Sequence, residues 1–289
     1  MPVTGGSLRL GLIGDNIAAS QAPRFHRLAG AQNGRAVTYD LLVPATMGMP
    51  FDQLFDSLAG AGYRGVNITY PYKERAAGRV VIDDPLVRAI GAINTVIFDQ
   101  GGPHGFNTDY SGFVSACRAA LGVGPAGPVL MIGAGGVGRA VAFGLLALGV
   151  KEVRIVDQSA EKARALAAAL SAARPGVSVK AGSGAADVAA LAKGAAGLIN
   201  CTPVGMVGHD GTPMNPALMA GATWAFDAVY TPVDTRFLQD ARAAGLQVIT
   251  GYELFIGQGV DAWAIFSGLP LDLARMRQDL AAGKDIPRG

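Results

Sequence analysis

Two segments in the first half of the chain place polar side chains where a buried core would not choose them. Asn67-Ile68-Thr69-Tyr70-Pro71-Tyr72-Lys73 closes an apolar, strand-like run on a lysine, and Gly105-Phe106-Asn107-Thr108-Asp109 sets an aspartate ahead of a helix-like stretch. Between them, Ala92-Ile93-Asn94-Thr95-Val96 puts Asn-Thr inside what otherwise reads as strand. A lysine, an aspartate and amides at neighbouring strand ends can hold a polyol and move a proton. Oxidising a secondary alcohol requires a side chain in hydrogen-bond reach that takes the hydroxyl proton as hydride leaves, with a pKa near working pH. Lysine starts near ~10.4, so it becomes a good base only through burial or a cationic neighbour; a nearby aspartate stabilises the ammonium while orienting it. Lys73 and Asp109 therefore read as an acid–base pair, with the holder of the proton left open. Taken singly, each has a plainer explanation: a solvated lysine after a strand, and an aspartate capping the helix over 110–121.

A second chemistry follows. Gly133-Ala134-Gly135-Gly136-Val137-Gly138 fits G-x-G-x-x-G directly after Val129-Leu130-Met131-Ile132 and opens a helical stretch. Glycines there permit a tight turn and close approach of backbone N–H groups to a pyrophosphate, and the helix N-terminus favours its charge. Asp157 ends the next strand-like run, where a carboxylate bonds the adenosine ribose hydroxyls and repels a 2′-phosphate. No arginine stands in Asp157-Gln158-Ser159-Ala160. The expected cofactor is NAD in preference to NADP. Asp157 as a cap of the following helix would account for the residue but not for its spacing.

The elements that must carry these residues are of α/β type. Leu8–Ile13, Val37–Val43 and Tyr63–Thr69 read as strands alternating with helices over Pro23–Gln32 and Phe51–Ala61, which predicts a mostly parallel sheet with helices on its faces. Gln100-Gly101-Gly102-Pro103 is a turn signal that makes a hairpin with the strand over Asn94–Phe98. A second unit begins near Pro128, with strands over Val129–Ile132, Glu152–Val156, Val177–Lys180, Gly197–Cys201, Ala225–Val229 and Val248–Thr250. Its helices run over Gly138–Leu148 and Ala160–Ala173, and a last one covers Glu253–Phe266.

Composition narrows the class. The 289 residues suggest about two domains, half are hydrophobic and 16% charged, and the formal charge of +2 comes from scattered basic residues. No basic stripe argues for nucleic acid. Cys117 and Cys201 read as small buried cysteines of a reduced compartment. Met1 to Leu10 shows no secretory pattern, and the glycines within Val129–Val150 argue against a membrane span. The expectation is a cytoplasmic protein, monomer or homodimer, with no metal and no membrane partner.

The segments around Lys73, Asn94, Asp109 and Gly133–Ala140 resemble, in order and spacing, the signatures of the shikimate dehydrogenase family. Asn200-Cys201-Thr202-Pro203-Val204-Gly205-Met206, Asp227-Ala228-Val229-Tyr230-Thr231-Pro232 and Gly251 through Gln258 continue the resemblance over nearly the whole chain. It implies a substrate-binding and catalytic domain over 1–112, a Rossmann NAD domain over 113–250, and a helical segment over 251–289 returning to the first domain. It also implies Lys73 and Asp109 as the catalytic pair, and Ser20, Asn67, Thr69, Asn94, Tyr230 and Gln258 around the substrate. Gly133, Gly135, Gly136, Val137, Gly138, Asp157, Thr202, Met206 and Gly251 would serve the cofactor. His26 reads as a packed helix histidine.

One position departs from the pattern. The family usually has Ser-x-Ser-Pro or Ser-x-Thr-Pro, whose two hydroxyls grip the substrate carboxylate; this chain has Ser20-Gln21-Ala22-Pro23, with Arg24 as a conceivable substitute. A lost hydroxyl bond to a charged acceptor costs about 1.5–3 kcal/mol. Asp157 and Tyr70-Pro71-Tyr72-Lys73 look more like the NAD-preferring quinate/shikimate dehydrogenases. The expected activity is NAD-dependent interconversion of a ring alcohol and ketone on shikimate, quinate or a close cyclic polyol acid. The alternatives are the same chemistry on an amino-substituted or carboxylate-free ring, and a catalytically silent NAD-binding sensor.

Overall fold

The computed structural model describes residues 6–122 and 124–284, so the outermost ends of the first and last expected domains, 1–5 and 285–289, lie outside the described residues. The chain divides into two compact units, residues 1–108 with 258–289 and residues 109–257.

In the first unit the chain runs β1 (Leu8–Ile13), α1 (Ala22–Gln32), β2 (Val37–Leu42), α2 (Pro44–Met47), α3 (Phe51–Gly60), β3 (Gly65–Ile68), α4 (Lys73–Ala77), α5 (Pro85–Ile90), β4 (Thr95–Asp99) and β5 (Gly102–Phe106). The five strands form one sheet in the order β2-β1-β3-β4-β5. The parallel alternation holds from β1 to β3, and the β4–β5 hairpin then continues the sheet antiparallel. The turn sits one step earlier than expected: Gly102 and Pro103 lie within β5, opposite Asp99 and Phe98. Proline is tolerated there because β5 is an edge strand.

Phe51, Leu54, Phe55 and Leu58 form one face of α3 and fill the core with Ile13, Val66, Ile68, Val87 and Val96. This is the i, i+3, i+4, i+7 stripe that a surface helix buries. Alanine at Leu54 or Leu58 would cost about 2–5 kcal/mol in transfer and cavity terms.

The second unit begins within α6 (Thr108–Leu121). It continues through β6 (Val129–Ile132), α7 (Gly136–Ala147), β7 (Glu152–Val156), α8 (Ala160–Ala173), β8 (Ser178–Gly182), α9 (Gly184–Ala192), β9 (Gly197–Asn200), β10 (Trp224–Asp227), α10 (Arg236–Ala243) and β11 (Gln247–Ile249). Its six strands are ordered β11-β10-β9-β6-β7-β8 and all pair in parallel. This is the doubly wound dinucleotide order, with its switch point between β6 and β9. The helix α10, absent from the periodicity reading, buries Phe237, Leu238 and Ala241 on one side and is capped by Thr235.

The helix α11 (Gly251–Ser267) passes from the second unit to the first between Gly257 and Gln258, and α12 (Leu273–Ala281) follows. In the first unit Phe266 lies so close to Gly65 that a Cβ there would collide with its ring, and Phe25 stands likewise against Gly259. Both cysteines are buried and outside any disulfide, and burial pushes the Cys117 thiol up to about 12. Among the described residues no helix is long and apolar enough to cross a membrane.

His26 lies wholly inside the first unit, stacked on Tyr39 at 5.1 Å and edge-on to Phe25 and Phe266. Burial pushes its pKa down to about 3, and a bond with Asn67 offsets only part of that. Below pH 6.5 the unfolded chain therefore binds a proton that the folded chain refuses. Stability present above pH 6.5 is lost as pH falls toward 3, with a slope of about 1.4 kcal/mol per pH unit from this group. Urea unfolding of the wild type and His26→Phe at pH 7, 6 and 5 should show that slope as the difference between the two; parallel curves would rule it out.

Candidate active site

In open α/β sheets ligands bind beyond the carboxyl ends of the strands, where the order reverses. In the first sheet that place lies between β1 and β3. A Cβ on Gly14, just past β1, would collide with the Thr69 methyl just past β3, so glycine is required for the two strand ends to approach. Ser20, Thr69 and Lys73 all follow from these ends. The Ser20 hydroxyl accepts from the Ala22 N–H at 3.2 Å, fixing the start of α1. Thr69 donates its N–H to the Ile13 carbonyl at 2.9 Å and accepts from the Tyr72 N–H at 2.9 Å.

Lys73 is the first residue of α4 and is partly buried. Its helix is fastened on two sides. Tyr72 stacks on Phe51 at 4.6 Å and donates its hydroxyl to Asp15 at 2.6 Å. Burial, then Asp15, raise the Tyr72 pKa to about 12. Arg75 grips Asp52 of α3 with two bonds of 3.0 and 2.7 Å, which hold that carboxyl below its usual range. The Lys73 carbonyl accepts from the Ile93 N–H at 3.1 Å, linking α4 to the residues leading into β4.

Asn94 is 2% exposed and bonds through both its side chain and its main chain. Its Oδ1 accepts from the Thr108 N–H at 2.8 Å, and its Nδ2 donates to Thr108 Oγ1 and to Gln258 Oε1, both at 3.0 Å. Its main chain bonds to Ile68 and Phe106. Asn94 thus caps the first turn of α6, where Asp109 stands, 2% exposed and acidic at a helix N-terminus that favours negative charge. Asn67 on β3 donates both amide hydrogens, to the Asn94 carbonyl at 3.2 Å and Thr95 Oγ1 at 3.0 Å, and accepts from the Tyr39 hydroxyl at 2.8 Å. Its amide is largely committed to holding β2, β3 and β4 together.

Arg24 does not face the Ser20–Ala22 turn as a substitute anion binder. Its guanidinium donates to the Asp279 and Leu280 carbonyls at 3.0 and 2.9 Å and to the Lys284 carbonyl, satisfying the carboxyl end of α12.

In the second unit the glycine loop leaves β6 with Gly133 at φ 105°, where a Cβ would collide with the Cys201 backbone. A Cβ on Gly138 would strike the Gly133 carbonyl, whereas one on Gly135 would meet open space. Gly135 precedes α7 and offers no side-chain cap, which suits a helix start that receives an anion. Gly136 and Val137 form the first turn of that helix.

Asp157, just past β7, accepts from the Ala134 N–H at 2.7 Å and from the Ser159 N–H at 2.8 Å. The cap of α8 is Ser159, whose hydroxyl accepts from Lys162. Asp157 instead ties the glycine loop to the end of β7, and each carboxylate oxygen keeps a further acceptor position.

Thr202 and Met206 lie on the loop after β9. Thr202 donates its hydroxyl to Asn200 Oδ1 at 2.7 Å, and the Met206 N–H bonds to the Pro203 carbonyl at 3.0 Å. Asn200 in turn donates to Asp227 at the end of β10, a carboxyl that burial raises to about 6 against the opposing bonds from Thr235, Val229 and Asn200. Tyr230 stacks on Phe255 at 5.0 Å, and a Cβ on Gly251 would collide with the Val229 carbonyl. Tyr39 and Thr235 stand outside the segments singled out from the sequence, while Thr95, Thr108, Asn200 and Asp227 lie in those segments without a role of their own. For Asn200 and Asp227 the available signal was a polar residue at the end of an otherwise apolar strand.

A unit of the dinucleotide-binding class is thus joined to a smaller α/β unit rich in polyol-type donors. Residues 12–96 match the shikimate dehydrogenase substrate binding domain, and residues 129–207 match the saccharopine dehydrogenase NADP binding domain. The chain is 38% identical over 286 residues to the shikimate dehydrogenase (NADP(+)) of Pseudarthrobacter chlorophenolicus, covering 97% of each. It is 37% identical over 277 residues to the quinate/shikimate dehydrogenase (NAD(+)) of Corynebacterium efficiens, covering 94% of this chain and 96% of the relative. The quinate dehydrogenase from Corynebacterium glutamicum, solved in complex with NAD, superposes with a TM-score of 0.86 at 34% identity, over 96% of this chain and 100% of that one. The chain belongs to the shikimate dehydrogenase family: it is an oxidoreductase of a cyclic alcohol that uses a pyridine nucleotide.

Replacing Asp157 by Asn keeps its size but removes its charge. Asp157→Asn should narrow the ratio of kcat/KM with NAD to that with NADP by about tenfold, the worth of one modest charge interaction. Steady-state assays with both nucleotides measure it, and an unchanged ratio would take Asp157 out of cofactor selection.

Proposed function

We propose that the protein is an NAD-dependent dehydrogenase that interconverts a ring secondary alcohol and ketone on shikimate, quinate or a close analogue. Asp157 is the observation that carries the choice of NAD. It places a carboxylate beside the glycine loop, and Gln158, Ser159 and Ala160 bring no cation for a 2′-phosphate. The named relatives include users of each nucleotide, so this residue rather than kinship supports the assignment.

Gly133, Gly135, Gly136, Val137 and Gly138 would cradle the pyrophosphate, with Thr202, Met206 and Gly251 toward the nicotinamide. NAD supplies the hydride acceptor when bound. Ser20, Thr69, Asn94, Tyr230 and Gln258 orient the ring, and Asn67 contributes by holding the strands from which they project. Lys73 and Asp109 handle the hydroxyl proton: the ammonium or amine at Nζ bonds the reacting oxygen, and the carboxylate orients it and receives or returns the proton.

A second reading keeps this chemistry for a ring without a carboxylate. The commitment of Arg24 to α12 favours it, because that guanidinium does not replace the hydroxyl missing at Ala22. Ala22→Ser should then lower KM for shikimate and quinate by about one to two decades while leaving carboxylate-free polyols unchanged. If the variant changes neither, position 22 does not face the substrate's acid group.

Turnover of NAD with a panel of ring polyols tests the activity itself, and complete inactivity would remove the substrate assignment. Lys73→Ala should retain NAD binding and lose about 10²–10⁴-fold in kcat, the usual worth of a positioned acid–base group. Full kcat in that variant would remove Lys73 from proton transfer.

A further inference from the structure

We infer that Asp227, acting through Asn200, is a positioning residue that holds the Thr202–Met206 loop and the Tyr230 segment in one register. This rests on the dehydrogenase reading above, in which those two segments border cofactor and substrate.

Asn200 and Asp227 are register partners at the carboxyl ends of β9 and β10, and both are fully buried. Asp227 Oδ1 accepts from Asn200 Nδ2 at 3.0 Å and from the Val229 N–H at 2.9 Å. Its Oδ2 accepts from Thr235 Oγ1 at 2.6 Å. Asn200 Oδ1 accepts from the Thr202 N–H and hydroxyl at 3.0 and 2.7 Å, and its Nδ2 also donates to the Val204 carbonyl at 3.0 Å. One carboxylate and one amide therefore fix the main chain at 202, 204 and 229 together. A further bond from the Val207 N–H to the Thr231 carbonyl at 3.2 Å ties the two segments beyond the buried pair.

The chemistry requires an acceptor at 227. Three donors converge on Asp227, and a carboxylate offers acceptors only. An asparagine there would turn an NH2 either toward the Asn200 and Val229 donors or toward Thr235. The Thr235 hydroxyl already accepts from the Leu238 N–H, so it would have to abandon its donation. A buried carboxylate is a costly way to stabilise a fold, since a well-packed apolar group of similar volume often serves as well or better. What the carboxylate adds is direction, fixing two loops at once.

Asp227→Asn, Thr235→Val and Thr235→Ser test this in the full chain. NADH affinity, read by fluorescence titration, should stay within about threefold of wild type in all three, because Asp157 and Val156 anchor the glycine loop separately. The kcat should fall about ten- to a hundredfold in Asp227→Asn and Thr235→Val, the effect of a sub-ångström to ångström misplacement. Thr235→Ser should restore it, since the hydroxyl returns. Wild-type kcat in Asp227→Asn, or a kcat loss matched by an equal loss of NADH-binding sites, would overturn the inference.

If the wild type itself turns over none of the ring polyols, the substrate reading fails separately, and amide hydrogen exchange decides the positioning role. Faster exchange in Asp227→Asn confined to 201–207 and 228–231 supports it. Unchanged or uniformly faster exchange refutes it.

Discussion

The buried amide of Asn94 is the constraint on which the arrangement of the first unit's strand ends depends. It cannot be buried cheaply unless every donor and acceptor is met, since an orphaned polar group costs about 1–3 kcal/mol. Meeting them requires the end of β3, the β4–β5 hairpin, the first turn of α6 and Gln258 of α11 to arrive at one point. The side chain therefore converts a desolvation penalty into a positional requirement for the residue that follows Thr108, the aspartate at 109. The second unit uses the same solution, with Asn200 gathering the loop after β9.

Features that depend on local order were legible in the sequence. The glycine loop could be read because each glycine answers a steric demand set within a few residues, and strand, turn and helix follow one another there. The places of Lys73 and Asp109 could be read because each stands where an apolar, strand-like run gives way to the start of a helix. The partners of Asn67 could not be read. Its bonds to Tyr39 and Thr95 depend on strand register across 28 residues in each direction, which no local pattern encodes. The bond between Asn200 and Asp227 was opaque for the same reason, since it crosses from one strand to the next over 27 residues. Arg24 misled in a different way: its position on α1 suggested an anion binder, but its partners are carbonyls more than 250 residues away in sequence. Helix α10 escaped notice because its apolar stripe is only three residues wide.

The two halves of the chemistry also differ in how they are held. Asp157 fastens the glycine loop to the end of β7, so its charge cannot be altered without disturbing the loop it secures. At Ala22 the opposite holds: the side chain is small, and the Ser20 hydroxyl already accepts from its N–H. A side chain at such a position can change with little effect on the fold, whereas a change at 157 is coupled to loop geometry.

The bond from Arg24 to the end of α12 has a practical consequence. Arg24 ties α1, which begins at the Ser20–Ala22 turn, to the end of α12, so two helices far apart in sequence are braced by one side chain. A change that displaces the end of α12 would therefore be felt at the start of α1, however remote the two stretches look in the sequence.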